Sequence, residues 1–179
     1  MTPHLAGTPT LETERLILRA PQGEDHAHWE RLALSDRARF IGGPLTRALA
    51  FRAWSVVIGH WAIRGFGMFV LQPKAGGDPI GHVGHWEPEG WPEREIGWSI
   101  WDPAAEGLGY AREAARAVLD YTFDTLGWDT LVSYIDEGND RSIALAQRLG
   151  ASPDNTAEKP DRDQPPILVY RHSRPEARA

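Results

Sequence analysis

No cysteine occurs among the 179 residues, which excludes disulfides, thiolate metal sites and any mechanism that needs a cysteine nucleophile. Long apolar runs are missing too, since none approaches the roughly eighteen residues that a membrane span requires. The first residues lack a basic segment leading into an apolar one, so the chain is expected to be cytoplasmic, with no membrane partner. Positive charge is also short: 19 Lys and Arg against 25 Asp and Glu give a formal net charge of −6. Such a chain lacks the broad basic face that nucleic acid calls for, although backbone N–H groups and a few arginines can still hold a small anion. Walker sequences and internal repeats are absent as well.

What is present fits one globular domain. A hydrophobic fraction of 41% with 25% charged residues is the composition of a folded chain with a full core. Residues 1–9 read as a loose arm, 10–172 as the domain and 173–179 as a tail. Alternation over residues 10–19 predicts a strand, and residues 25–34 a helix burying Trp29 and Leu32. Residues 47–63 form a second helical stretch, with Ala50, Trp54, Val57, Ile58 and Trp61 on one stripe. Strand-like runs follow at 68–72, 80–86 and 93–101, joined by turns in a meander.

The stretch 93–117 organises the rest. A β-branched and aromatic run gives way at Asp102-Pro103 to a turn, and Gly107-Leu-Gly109 then opens a run of helical period. Strand, glycine loop and helix start form a cradle for an anion, because the first helical N–H groups have no partner in the helix and glycine carries no Cβ to fend off a ligand. The helix is expected to bury Ala111, Ala114, Ala115, Val118, Leu119, Thr122 and Leu126, and to leave Arg112, Glu113 and Arg116 outside. A strand at 130–135 makes it the crossover between two parallel strands. Asn139 then caps a helix that Gly150 stops, and residues 166–171 form a last strand.

These residues resemble the GNAT superfamily of acyl-CoA-dependent N-acetyltransferases, in the branch similar to ribosomal-protein N-terminal acetyltransferases. Leu11-Glu-Thr-Glu-Arg-Leu-Ile-Leu-Arg19 resembles that branch's opening strand and Ile80-Gly-His-Val-Gly84 its third. Glu95-Ile-Gly-Trp98 with Glu106-Gly-Leu-Gly-Tyr-Ala111 resembles the strand and pyrophosphate loop, and Asn139-Asp-Arg-Ser142 running to Leu149-Gly150 the later helix. The resemblance implies an α/β (α+β) fold: a mixed, mostly antiparallel sheet of about six to seven strands, helices on both faces, and a splayed parallel strand pair holding acyl-CoA.

It further implies acetyl-CoA as co-substrate, with main-chain groups of Trp98, Ser99 and Ile100 along the pantetheine arm. Gly107, Leu108, Gly109, Tyr110, Ala111 and Arg112 would cradle the pyrophosphate, with Asn139 and Ser142 nearby. Arg112, Arg116, Arg141 and Arg148 are candidates for the adenosine-side phosphate. An amine acceptor, a small molecule or a protein N-terminus, would attack directly in a ternary complex. Glu95 is the first candidate base, His85 and Glu87 are second choices, and Ser142 is a candidate acid. Trp86, Trp91 and Trp98 are expected around the acceptor cleft. No metal is implied, since the odd separation of His82 and His85 puts them on opposite faces of a strand. Oligomeric state is left open, a homodimer included.

Two departures stand out. Glu106 puts an acidic side chain where the family usually has Gln or Arg, and is expected to weaken anion binding. Ala146 stands where many members carry a tyrosine general acid. Two alternatives therefore stay open: a catalytically silent acyl-CoA-binding module and a dinucleotide-binding oxidoreductase. Arg112 in place of a third glycine argues against the latter.

Overall fold

The computed structural model describes residues 5–161 and 166–175. Parts of the expected arm, of the late polar stretch and of the tail lie outside these residues. Within them, Leu5 packs on the main core cluster, and the last strand runs on to Ser173.

The opening strand is not continuous. It is split into β1 (Leu11–Glu12) and β2 (Leu16–Arg19), paired antiparallel. The break occurs where the Thr13 amide turns back to the Leu16 carbonyl, 3.0 Å away, and the Arg15 amide bonds to Glu113, 2.9 Å away. Leu16 and Leu18 nevertheless point inward, both fully buried, as alternation requires.

Helix α1 (His26–Ala33) follows a short 3-10 turn, and α2 (Arg47–Arg64) starts at the Thr46 cap and ends at Gly65, φ 78°. Strands β3 (Met68–Pro73), β4 (Gly81–Trp86) and β5 (Glu95–Ile100) make the meander. Then come α3 (Tyr110–Asp120), a π turn (Tyr121–Thr125), β6 (Thr130–Asp136), α4 (Asp140–Arg148), β7 (Ser152–Pro153) and β8 (Ile167–Ser173). The sheet order is β1-β2-β3-β4-β5-β6-β8-β7, with eight strands among the described residues instead of six or seven because two edge pieces are only two residues long.

Helices cover both faces. On one, α3 and α4 bury Ala114, Ala115, Val118, Leu145 and Leu149 with the sheet's Phe69, Val83 and Ile96. On the other, α1 and α2 bury Trp29, Leu32, Trp54 and Val57 against Met68 and Val70. Phe123 is buried and Leu126 only half-buried, because the π turn shifts the inward stripe by one position. Glu113 is not a solvated charge: it takes hydrogen bonds from Thr13 (2.5 Å) and from Arg15 Nε (2.6 Å), tying α3 to the β1–β2 turn.

Among the described strands, only β5 and β6 are paired in parallel, at the single register Glu95–Val132. That leaves no βαβαβ half among the described strands for a dinucleotide. The two strands then diverge.

Two glycines separate space from conformation. A Cβ on Gly84 would come within 2.4 Å of the Gly67 carbonyl oxygen and 2.7 Å of Met68 Cα, whereas one on Gly59, inside α2, would meet nothing within 4 Å. Gly84→Ala should therefore cost about 1–3 kcal/mol through forced backbone shifts. Gly59→Ala should stabilise by about 0.4–1 kcal/mol by restricting the unfolded chain. Urea unfolding of both variants checks the opposite signs.

Candidate active site

The divergence of β5 and β6 has a local cause. The Val132 amide bonds to the Arg94 carbonyl at 2.9 Å, and in a continuing parallel ladder the Tyr134 amide would next bond to Ile96. Instead the Ser133 hydroxyl takes the Ile96 carbonyl at 2.8 Å. Because that hydroxyl donates to Ile96, its contact with His172 Nε2, 3.1 Å away, has the imidazole N–H donating. Beyond this point the fork opens.

Strand alternation sorts the main-chain groups expected there. The Trp101 amide bonds to Ile80 on the β4 side, so Ser99, two residues earlier, also turns its amide and carbonyl toward β4. Trp98 and Ile100 face the fork. The expectation that all three line the gap is thus corrected for Ser99, whose main chain belongs to the β4 ladder. The Ile100 carbonyl accepts from Arg37 Nη2 at 3.0 Å.

At the far end of β5 lies the glycine loop. Gly107 and Gly109 have φ of 76° and 83°, a left-handed conformation that side chains rarely tolerate. Gly109 is the N-cap of α3, with no side chain over the helix start. A Cβ on Gly107 would meet nothing within 4 Å, and Leu108 is exposed. The open cradle and the first N–H groups of an eleven-residue helix fit a pyrophosphate. Arg15 reinforces the loop from behind, donating to the Leu108 carbonyl at 3.1 Å and lying 4.3 Å over the Tyr110 ring.

Glu106 behaves differently from the expectation. Burial works to raise its pKa, but hydrogen bonds and charge from Arg37 and Arg141 outweigh that and hold it below the usual range. Arg37 Nε lies 3.1 Å away and Arg141 Nη1 2.6 Å. One carboxylate between two guanidinium groups leaves one positive charge in excess beside the loop. Of the other candidate arginines, Arg116 bonds to the Leu149 carbonyl at 3.2 Å, while Arg112 and Arg148 are exposed. Nothing local in the sequence marked Arg37, which sits 69 residues from Glu106.

The fork opens into a cavity of about 520 Å³ that reaches from Asn139 and Ser142 past Glu95 to Trp29 and α2. Glu95 lies at its vertex and accepts from the Trp91 indole at 2.8 Å. Asn139 caps α4 through the Ser142 amide, 3.3 Å away, and the Ser142 hydroxyl accepts from the Trp98 indole at 3.2 Å. The Ser142 proton therefore points elsewhere than to Trp98. Trp86, Trp91 and Trp98 all line the cavity.

Two candidate bases do not join them. His85 is fully buried on the α3 face, its Nε2 donating to the Thr122 hydroxyl (2.6 Å), which itself donates to the Val118 carbonyl. Burial pushes its pKa down to about 3. Glu87 lies outside the cavity wall, 3.7 Å from Arg94. His82 does line the cavity, stacked on Trp29, and burial lowers it to about 4. The two histidines thus occupy opposite faces, and no metal-binding cluster forms among the described residues. Ala146 is fully buried against Ile135, Ala151 and Tyr170 and takes no part in the wall.

Tyr134 was not anticipated. Burial first, then the charges of Glu93 and Glu95, raise its phenol to about 12, so it is a neutral O–H on the cavity wall. Its position two residues beyond Val132, the partner of Glu95, puts it on the Glu95 face by strand alternation.

A family described as "Acetyltransferase (GNAT) domain" matches residues 15–152. The chain belongs to the GNAT acetyltransferase family. It is 33% identical to protein YkkB of Bacillus subtilis (strain 168) over 169 residues, covering 89% of this chain and 93% of that one. It superimposes on an acetyltransferase from Agrobacterium tumefaciens strain C58 with a TM-score of 0.86 at 34% identity, covering 97% and 99% of the two chains. RimL, a ribosomal L7/L12 α-N-protein acetyltransferase solved in complex with coenzyme A, shares the fold with a TM-score of 0.73 at 17% identity, covering 92% and 98%. These matches place the β5–β6 fork within a GNAT sheet.

The buried histidines of this GNAT domain make it acid-sensitive. His82, His85 and His172 are lowered from 6.5 to about 4, about 3 and about 4, chiefly by burial. The unfolded chain binds these protons near pH 6.5 and the folded one does not, so stability is full above that pH and falls as pH drops through it. Between about pH 7.5 and about pH 5.5 each should remove on the order of 1 kcal/mol. His85→Leu should reduce the total loss by that amount in urea unfolding.

Proposed function

We propose that the protein transfers an acetyl group from acetyl-CoA to a primary amine by direct attack within a ternary complex. The observation that carries this reading is the fork itself, with the glycine loop at one end, Glu95 at its vertex and a cavity leading away from it.

The amides of the Gly107–Arg112 loop and of the start of α3 would hold the pyrophosphate, with the excess charge of Arg37 and Arg141 beside them. The fork-facing main chain of Trp98 and Ile100 would pair with the pantetheine arm as an added strand. Bound there, acetyl-CoA supplies its acetyl group as a thioester, which a neutral amine can attack without an acyl-enzyme. An N–H group at the fork would polarise the thioester carbonyl.

An amine arrives as ammonium near neutral pH. Glu95 takes that proton, directly or through a water, since it is the cavity carboxylate closest to the vertex of the fork. His85 and Glu87, off the cavity wall, are not placed to do so. Ser142, whose oxygen already accepts from Trp98, can give its proton to the departing thiolate and regain one from solvent. Tyr134 offers a second neutral O–H.

Acetyl-CoA should raise the melting temperature, whereas NAD and ATP should not. Glu95→Gln should lower kcat about 10²–10⁴-fold with unchanged acetyl-CoA affinity, and should flatten the pH dependence of turnover. Gly109→Val should leave the protein folded and abolish acetyl-CoA binding, because a β-branched residue is strained at φ 83°. Binding without thiol release for any amine would leave the silent-module reading instead.

A further inference from the structure

We infer that the acceptor is a primary amine on a compact apolar body of aromatic size, and not a polyamine, an aminosugar or a peptide N-terminus. This rests on the acetyl-transfer reading and names the acceptor class for that same site.

The cavity is chemically divided. Its fork end carries most of the polar groups, Glu95, Ser133, Tyr134, Asp136, Asn139 and Ser142. Its outer end is built from Leu45, Ala53, Val57 and Met68 with the rings of Trp29 and Phe40, and with the His82 imidazole stacked on Trp29. Three of the lining indole N–H groups are committed: Trp29 donates to the Ala50 carbonyl at 3.1 Å, Trp91 to Glu95 and Trp98 to Ser142. At the mouth, Ile41 and Val56 are 40% and 48% exposed, so the apolar lining continues to the surface.

Charge complements this division. No Lys or Arg is among the described residues that line the cavity, whose charged members are Glu95 and Asp136. An ammonium is drawn to the fork end while the rest of the molecule meets hydrocarbon and aromatic faces. A peptide would bring an amide N–H and C=O per residue to an outer wall whose polar side chain, among the described residues, is the His82 ring, and each unmet group is costly. A polyamine would bury its second charge against the same wall, and an aminosugar its hydroxyls. A volume near 520 Å³ is in the range of small-molecule sites.

Binding and turnover are read separately. With the protein saturated in CoA, the tryptophans of the cavity report binding by fluorescence. 2-Phenylethylamine should bind at least about tenfold more tightly than spermidine, glucosamine or an alanyl tetrapeptide, and about tenfold more tightly than 2-phenylethanol, which lacks the ammonium. Val56→Glu, at the exposed mouth, should weaken 2-phenylethylamine about tenfold and leave spermidine no weaker. In the acetyl-CoA assay, kcat/KM should follow the same order. Tighter binding of spermidine, glucosamine or the peptide overturns the acceptor class, and thiol release with that amine then leaves acetyl transfer standing. Tight, Val56-sensitive binding of 2-phenylethylamine without thiol release supports the class and overturns the transfer reading.

Discussion

The site depends on two strands that stop pairing. β5 and β6 can separate because each is fully laddered on its outer side, β5 to β4 through six registered pairs and β6 to β8 through seven. Loss of the inner ladder therefore leaves neither strand without partners along its length. The Ser133 hydroxyl satisfies the Ile96 carbonyl just where the backbone bond would fail, and His172 holds that hydroxyl in place. Gly97 follows on the opened strand. A Cβ there would stand 3.1 Å from Met68 Cε, so a side chain at that position would press on the cavity floor.

The charge of the cradle is likewise a property of the assembly and not of its residues taken singly. Glu106 alone would repel an anion. Gripped by Arg37 and Arg141, it becomes the pin that brings two guanidinium groups to the loop, and Arg37 reaches on to the carbonyls of Ile100 and Trp101. One side chain thereby joins the end of the open strand to the start of the glycine loop. Arg141, 86% exposed, keeps donors turned toward solvent, where a phosphate can reach them.

Features written in local chemistry were legible in the sequence. Glycines at positive φ, the Asn139 cap, and strand alternation at Leu16 and Leu18 depend on near neighbours, and so does the separation of His82 and His85 onto two faces. Features made by long-range contact were not. Arg15 meets Glu113 across 98 positions and Arg37 meets Glu106 across 69, so one appeared as a solvated charge and the other as a defect. The same limit explains His85. Alternation shows that it opposes His82, but only the packing of Phe66, Tyr121 and Trp128 around it shows which face is closed.

Base strength decides among the cavity's titratable groups. His82 is held neutral with a pKa near 4, and an imidazole that weak draws a proton from an ammonium poorly. The apolar outer wall works in the opposite direction on the acceptor. Taking an ammonium out of water lowers its own pKa, so an apolar wall would also help to deprotonate an amine bound against it. A nearby carboxylate stabilises the charged form and would oppose this effect if it only held the cation. In the proposed reaction Glu95 would therefore promote attack only by receiving the proton, and its place at the vertex of the fork, between the apolar wall and the open strand, is where that transfer would be required.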